Sequence, residues 1–310
     1  MIRILELFGG IGACSKALER LGIEYEIADY VEIDKYAVAS FNAMHGTDFK
    51  PQDIKDWDKD IEVDLIVHGS PCQDFSVAGL QRGGDEGSGT RSSLMYETVR
   101  IIKKTKPKYI IWENVKNLLS KNHIHNFIKY IDILQELGYN SYYQVLNAKD
   151  YGIPQNRERV FTISIRKDID KGYWFPPKQE LKLRLKDLLE ENVDESYFLK
   201  KFQNKRLIYT LNENKEDLQD GTVIDSYNKK INNSGVIGTI TTGVSFLNET
   251  HIVDSSNGGG RINLIDRNNY YQWYEKGFFE SDCRASKENS ISLTLTTRGN
   301  NKVAIEVNNG

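Results

Sequence analysis

A chain of 310 residues with 39% hydrophobic content, a mean hydropathy of −0.53 and a formal charge of −3 has the composition of a soluble protein and is long enough for one large domain or two. No apolar run approaches the roughly 20 residues of a membrane span, and the charge excludes a purely electrostatic nucleic-acid binder while leaving a site-specific one open. Three widely spaced cysteines make neither a disulfide framework nor a zinc pattern, and Met1 leads directly into an apolar strand, so the expectation is a reduced, cytoplasmic protein without a leader.

Residues 2–8 read as a strand, Gly9-Gly10-Ile11-Gly12-Ala13 as a glycine turn, and residues 14–21 as a helix. Such a turn lets backbone approach a ligand and leaves free N–H groups at the helix start, although many α/β folds use glycines merely to turn. A second strand covers residues 25–31. Glu32 follows it, 20 residues after Gly12, where nucleotide-binding sheets put an acid for ribose hydroxyls; a solvated strand-end glutamate is the plainer alternative. Residues 35–44 read as a helix. Asp53 and Ile54 then stand in a short strand or loop, with Asp53 able to bond an adenine amine and Ile54 to cover a ring face, or Asp53 simply forming a turn.

The apolar run 63–67 predicts a buried strand, and it opens into Gly69-Ser70-Pro71-Cys72-Gln73-Asp74-Phe75-Ser76. A strand-end loop presents chemistry, although a lone cysteine also serves as a small buried apolar residue. Residues 79–91 follow with four glycines between positions 83 and 89, too many for a helix or strand, and read as a mobile loop suited to closing over a substrate. A helix is expected over 94–104, a strand over 108–112 with Glu113-Asn114-Val115 at its end, and an amphipathic helix over 124–137 closed by Gly138. Residues 142–147 and 160–165 read as strands flanking a rigid turn, 151–159, that carries Arg157 and Arg159.

Alternating strands and helices through residue 165 predict an α/β fold with a parallel or mixed sheet. Past residue 177 the composition changes: asparagine occurs 16 times in residues 201–310 against 9 times in residues 1–200. One last helix is expected over 181–191, then short strands and loops. A Thr-x-Thr-Thr ending shared by 239–242 and 294–297 reads as a local turn rather than a repeat. The expected division is a catalytic domain, 1–177, and a smaller, irregular, β-rich region, 178–310.

The set Phe8-Gly9-Gly10-Ile11-Gly12, Glu32, Asp53, Pro71-Cys72-Gln73, Glu113-Asn114-Val115 and Gln155-Asn156-Arg157-Glu158-Arg159 resembles, in identity, order and approximate spacing, the cytosine-5 DNA methyltransferase family of bacterial and phage type. The resemblance covers about residues 1–166. It implies a Rossmann-like S-adenosylmethionine-dependent methyltransferase domain followed by a target-recognition region, with double-stranded DNA as substrate. It also implies Cys72 as nucleophile, Glu113 as the acid beside the base, and Arg159 and Arg157 as partners at the catalytic end. Around the cofactor it implies Phe8, Gly10, Ile11, Gly12, Glu32, Ile33, Asp53, Ile54, Pro71 and Leu94. At the DNA it implies Gln73, Ser76, Gln81, Arg82 and Arg91, and no metal is called for.

The chemistry asks for these residue types. Carbon 5 of cytosine is a poor nucleophile until a thiolate adds to carbon 6, so Cys72 needs surroundings that favour the thiolate, with Arg159 and the backbone beside Pro71 as contributors. A carboxyl at ring nitrogen 3, the role for Glu113, helps that addition. The base must be flipped out of the duplex to present this face.

Two departures stand out. Ile33 takes a place where the family often has an aromatic residue. No Leu-Thr-Pro-Arg-Glu-like segment follows Thr297, which predicts a truncated chain or one half of a two-chain enzyme. A partner-dependent binding subunit and transfer to RNA are the competing expectations. Arg261, Arg267, Arg284 and Arg298 are candidate DNA contacts, with solvated loop arginines as the plainer reading of each.

Overall fold

The computed structural model describes residues 1–70, 94–189, 210, 218–225, 228–239, 250–254, 261–265 and 302–306. Pro71, Cys72, Gln73, Ser76, Gln81, Arg82, Arg91, Arg267, Arg284 and Arg298 lie outside the described residues, as do the glycine-rich loop and most of both Thr-x-Thr-Thr endings; of Arg261 only the backbone is described.

The chain forms two compact units. The first comprises Met1–Leu146 and Glu158–Pro177, the second Asn147–Arg157 and Lys178–Gly310. In the first, strands β1 (Ile2–Leu7), β2 (Tyr25–Val31), β3 (Leu65–His68), β4 (Tyr109–Val115), β5 (Tyr139–Asn147) and β7 (Glu158–Arg166) make one sheet in the order β2-β1-β3-β4-β7-β5. The four strands β2, β1, β3 and β4 run parallel and β7 runs antiparallel to β4. The connections carry helices α1 (Ala13–Arg20), α2 (Lys35–His45), α3 (Met95–Thr105) and α4 (Ile124–Glu136). Parallel strands require such crossovers, and the alternating apolar runs of the sequence supply them.

Leu5, Leu7, Ile66, Ile110 and Trp112 from the strands pack with Met95, Val99 and Ile102 of α3 and Phe127, Tyr130 and Leu134 of α4 in the main core. The helical residues recur at spacings of three and four, so each helix turns one apolar stripe to the sheet. Register then aligns the strand ends: Leu7 is paired with both Val31 and His68, and His68 with Trp112. Residues 8, 32 and 69 therefore leave their strands at one edge, level with residue 113 of β4, where β1 lies between strands whose connections diverge, the crevice in which open α/β sheets bind ligands.

Three expectations change. The 181–191 segment is not a helix: Arg184 is extended, a 3-10 turn covers Leu185–Leu188, and residues beyond 189 lie outside the described set. Leu181, Leu183 and Leu185 alternate with charged residues, a period of two that suits extended chain rather than a helix. Glu113 does not stand past the end of its strand. Antiparallel pairing with β7 carries β4 on to Val115, opposite Arg159. The 151–159 segment is likewise only partly a turn. A 3-10 turn ends at Tyr151, Gly152 takes a left-handed conformation, Gln155–Asn156 forms the short strand β6, and Glu158 already belongs to β7.

In the second unit β6 pairs in parallel with β10 (Ile237–Gly238). A separate antiparallel sheet joins β13 (Lys302–Glu306), β12 (Arg261–Ile265), β11 (Thr250–Asp254), β8 (Val223–Asp225) and β9 (Lys230–Asn232) in that order. Among the described residues no helix is long and apolar enough to cross a membrane.

Candidate active site

The turn between β1 and α1 is held in a conformation few sequences tolerate. Phe8, Gly10 and Gly12 all have positive φ, at 55°, 55° and 78°. The Gly12 amide donates to the Gly9 carbonyl at 2.9 Å and the Gly9 amide to the Val31 carbonyl at 3.3 Å. A side chain at position 9 would meet the Tyr30 ring at 2.6 Å, and one at position 12 would meet His45 at 2.4 Å and Phe41 at 2.5 Å. At Gly10 nothing lies within 4 Å of such an atom. The turn is thus packed tightly on one side and open on the other.

Gly12, the residue ahead of α1, offers the helix no side-chain cap. Glu6, buried on β1, takes that role by accepting from the Ser15 amide at 3.0 Å and from the Ser15 hydroxyl. Burial pushes the Glu6 carboxyl above its usual range, against the lowering effect of both Ser15 bonds. Cys14 beside it is pushed up to about 12 by burial and by the Glu6 charge, which makes it a poor nucleophile.

Glu32 accepts from the Gly10 amide at 3.2 Å through Oε2 and from the Asp34 amide at 2.9 Å through Oε1. Burial raises its carboxyl while these backbone bonds lower it. A carboxylate's four lone pairs leave acceptor capacity for a ligand hydroxyl beyond these backbone amides. The Gln52 amide donates to the Glu32 carbonyl at 2.8 Å, bringing Asp53 next to this position. Asp53 caps a 3-10 turn by accepting from the Lys55 amide at 3.0 Å. Arg100 fixes the same turn by donating to the Ile54 and Trp57 carbonyls at 2.9 and 2.8 Å. Ile33 is 66% exposed and free to meet a flat ring, whereas Ile54 is 4% exposed and lies in the core, offering only a sliver of surface. Leu94 precedes α3 and packs against the core.

At the ends of β3 and β4, Glu113 Oε1 pairs with Arg159 Nε at 3.0 Å across the β4–β7 ladder. Arg159 also donates to the Glu158 carbonyl at 2.8 Å, and Lys116 pairs with the Glu158 carboxylate at 3.0 Å. The other Glu113 oxygen stands 3.8 Å from where a side chain at Gly69 would begin, so the carboxylate overlooks the exit of β3, three residues before Cys72. Ser70 is buried there, accepting from Trp112 Nε1 at 3.2 Å and Asn114 Nδ2 at 3.3 Å, and Asn114 Oδ1 accepts from the Val115 amide at 2.8 Å. His68 is no proton shuttle: burial drives it down to about 3, and Nε2 meets the Tyr130 hydroxyl at 2.8 Å. Arg157 lies in the second unit, where its amide donates to Asn147 Oδ1 at 3.1 Å and its carbonyl accepts from Ala148.

The structure thus gathers Phe8, Gly10, Ile11, Gly12, Glu32, Ile33 and Asp53 along one stretch of the sheet edge and Glu113 with Arg159 along the next. Tyr30, His45, Glu6, Ser70 and Trp112 join them without having been singled out in the sequence. Glu6 and Tyr30 sit inside the expected strands 2–8 and 25–31, where no local pattern marks them, and only the i,i+4 spacing of Phe41 and His45 ties His45 to this side of α2. Among the described residues no cluster of His, Cys, Asp or Glu could hold a metal ion.

The family model "C-5 cytosine-specific DNA methylase" matches residues 2–302. The type II methyltransferase M2.ScrFI of Lactococcus lactis subsp. cremoris is 37% identical, the match covering 66% of this chain and 71% of that one. The orphan methyltransferase M.SPRI of Bacillus phage SPR is also 37% identical, over 78% of this chain and 64% of its own. The type II methyltransferase M.SsoII of Shigella sonnei is 39% identical over 64% and 52%. The chain therefore spans about half to seven-tenths of these relatives. Among solved structures, the S. pombe Dnmt2 methyltransferase aligns with a TM-score of 0.56 at 20% identity over 89% of this chain and 80% of that one. The Entamoeba histolytica methyltransferase EhMeth aligns at 0.55 and 20%, over 77% and 76%. These two likenesses establish the fold. The expectation of a second chain gains no support from the matches, which for the family model run to residue 302.

Proposed function

Because the chain belongs to the C-5 cytosine-specific DNA methylase family, we propose that it methylates carbon 5 of a cytosine at a short site in double-stranded DNA, in the cytoplasm of a bacterium or a phage-infected host. The observation that carries this reading is the Glu113–Arg159 pair overlooking the exit of β3, on the same sheet edge as the residue 8–12 turn and Glu32.

The cofactor side fits S-adenosylmethionine. The open face at Gly10 admits a ligand against bare backbone, Glu32 has acceptor capacity for ribose hydroxyls, and exposed Ile33 suits an adenine face. Asp53 is the candidate for the adenine amine. When bound, S-adenosylmethionine supplies an electrophilic methyl group on a sulfonium and leaves as S-adenosyl-L-homocysteine.

On the base side, the Cys72 thiolate adds to carbon 6 of the flipped cytosine and the ring electrons move toward nitrogen 3. Glu113 shares a proton with nitrogen 3 and so stabilises the charge that would build there. Arg159, bonded to both Glu113 and the Glu158 carbonyl, keeps the carboxyl in one orientation. Carbon 5 then takes the methyl group, loses its proton to a base, and the returning electrons expel Cys72 and restore the 5,6 double bond. The region 178–310 serves as target-recognition region in this reading, with Gln73, Ser76, Gln81, Arg82 and Arg91 of the Cys72 loop at the DNA.

The test is a labelled methyl donor with duplex DNA containing 5-fluorocytosine, whose fluorine cannot leave as a proton does and so traps the adduct. A covalent protein–DNA species is expected from the wild type and none from Cys72→Ser, with S-adenosyl-L-homocysteine binding retained in both. Absence of any adduct from the wild type on DNA of varied sequence, or equal labelling of RNA in competition, would reject the DNA reading.

A further inference from the structure

We propose that Tyr30 and His45 are positioning residues for the cofactor, forming a two-point clasp that holds the residue 8–12 turn in its binding shape before any ligand arrives. The proposal rests on reading this turn as the S-adenosylmethionine site.

A turn with three left-handed residues has several backbone groups pointing away from regular structure. The Gly9 carbonyl is taken by the Gly12 amide and the Gly12 carbonyl by the Lys16 amide at 3.0 Å. The carbonyls of Gly10 and Ile11 are served by side chains instead. The Tyr30 hydroxyl donates to the Gly10 carbonyl at 2.6 Å, and His45 Nε2 lies 3.1 Å from the Ile11 carbonyl, a contact that requires the proton on Nε2. Burial raises the Tyr30 phenol and lowers the His45 imidazole, so at neutral pH the first stays an O–H donor and the second stays uncharged.

The donors come from different elements, β2 and α2, yet share one aromatic stack. Tyr30 lies on Phe41 with ring centroids 3.8 Å apart, Phe41 lies 4.4 Å from His45, and Phe49 meets both Tyr30 and Phe41. The stack is what a side chain at Gly9 or Gly12 would strike. Gly10 is thus gripped twice, its carbonyl by Tyr30 and its amide by Glu32. A loop already ordered by the fold loses little entropy on binding, so the clasp acts on affinity rather than on the methyl-transfer step.

Calorimetric titration of the full chain with S-adenosyl-L-homocysteine tests this, comparing wild type, Tyr30→Phe, His45→Leu and His45→Gln, with KM for S-adenosylmethionine and kcat read in parallel. Tyr30→Phe keeps the ring stack and removes only the hydroxyl, and glutamine at 45 still presents an N–H where leucine does not. A net hydrogen bond of ordinary strength predicts Kd about 2- to 10-fold weaker for Tyr30→Phe and for His45→Leu, recovered to within about twofold by His45→Gln. KM should rise by the same factor with kcat unchanged. Wild-type affinity in both Tyr30→Phe and His45→Leu overturns the clasp, as does equal weakening in His45→Leu and His45→Gln, which would mean packing alone. If the wild type binds no S-adenosyl-L-homocysteine, the reading of the turn as the cofactor site falls instead, and the clasp with it.

Discussion

Alanine substitutions at Gly10 and Gly12 should separate ligand space from packing space within one turn. Both positions have positive φ, 55° and 78°, so each new side chain incurs about 1–2 kcal/mol of backbone strain. At Gly10 the added methyl meets nothing within 4 Å, so strain is the whole cost to the free protein, equivalent to a melting shift of about 2–4 °C per kcal/mol. At Gly12 the methyl arrives 2.4 Å from His45 and 2.5 Å from Phe41, and pushing them aside adds about 1–3 kcal/mol of overpacking, for a total of about 2–5 kcal/mol. Binding should separate the pair in the opposite sense. The Gly10 methyl occupies the open face assigned to the cofactor and should weaken S-adenosyl-L-homocysteine by about 10-fold or more, the scale of one displaced close contact. Thermal melts and urea midpoints of the ligand-free proteins, with calorimetric affinities, read both axes. Gly10→Ala that binds like the wild type, or that unfolds as readily as Gly12→Ala, would refute the assignment of the two faces.

The carboxyls of Glu6 and Glu32 are both raised above the ordinary 4.5 by burial, so the folded chain holds protons that the unfolded chain gives up. Their contribution to stability is therefore fullest below the ordinary value and declines as pH climbs through the raised values. Glu6→Gln keeps an acceptor for Ser15 without the buried charge and should flatten part of that decline in urea midpoints between about pH 4 and 8. Glu6→Ala, which leaves the Ser15 donors unserved, should lose about 1–3 kcal/mol at neutral pH, and a steeper slope in Glu6→Gln than in wild type would contradict this. Arg159→Lys cannot reproduce both the Nε bond to Glu113 and the bond to the Glu158 carbonyl, so adduct formation with 5-fluorocytosine DNA should slow about 10- to 100-fold. S-adenosyl-L-homocysteine affinity should not change, and an unaltered adduct rate would remove Arg159 from the orienting role.

The fold of the first unit was legible because its signals are local and strong. The apolar runs 2–8, 25–31 and 63–67 and the helical stripes between them match β1, β2, β3, α1 and α2 with end shifts of one or two residues. The turn after β1 and its contact with Glu32 were legible for a related reason: Gly10, Gly12 and Glu32 answer constraints of backbone angle and strand end that act within a short span. The extension of β4 through Glu113 was not, since it depends on a partner strand some 45 residues later. Tyr30 and His45 escaped notice because their bonds to Gly10 and Ile11 cross 20 and 34 residues and no local pattern marks them. The supposed helix over 181–191 shows the reverse error, in which leucine content outweighed a spacing of two.

The division of the chain has a consequence for recombining such enzymes. The second unit is woven in twice, leaving the first after Leu146 and again after Pro177. A gene cut at residue 177 would therefore strand Gln155–Asn156, the strand that β10 pairs with, on the donor side. A chimera that exchanges the second unit would need to carry two inserts, 147–157 and the segment from 178 onward, with three splice points in register. Shuffling at a single crossover would separate β10 from its mate, so modules of this kind should be inherited as a pair or lost as a pair.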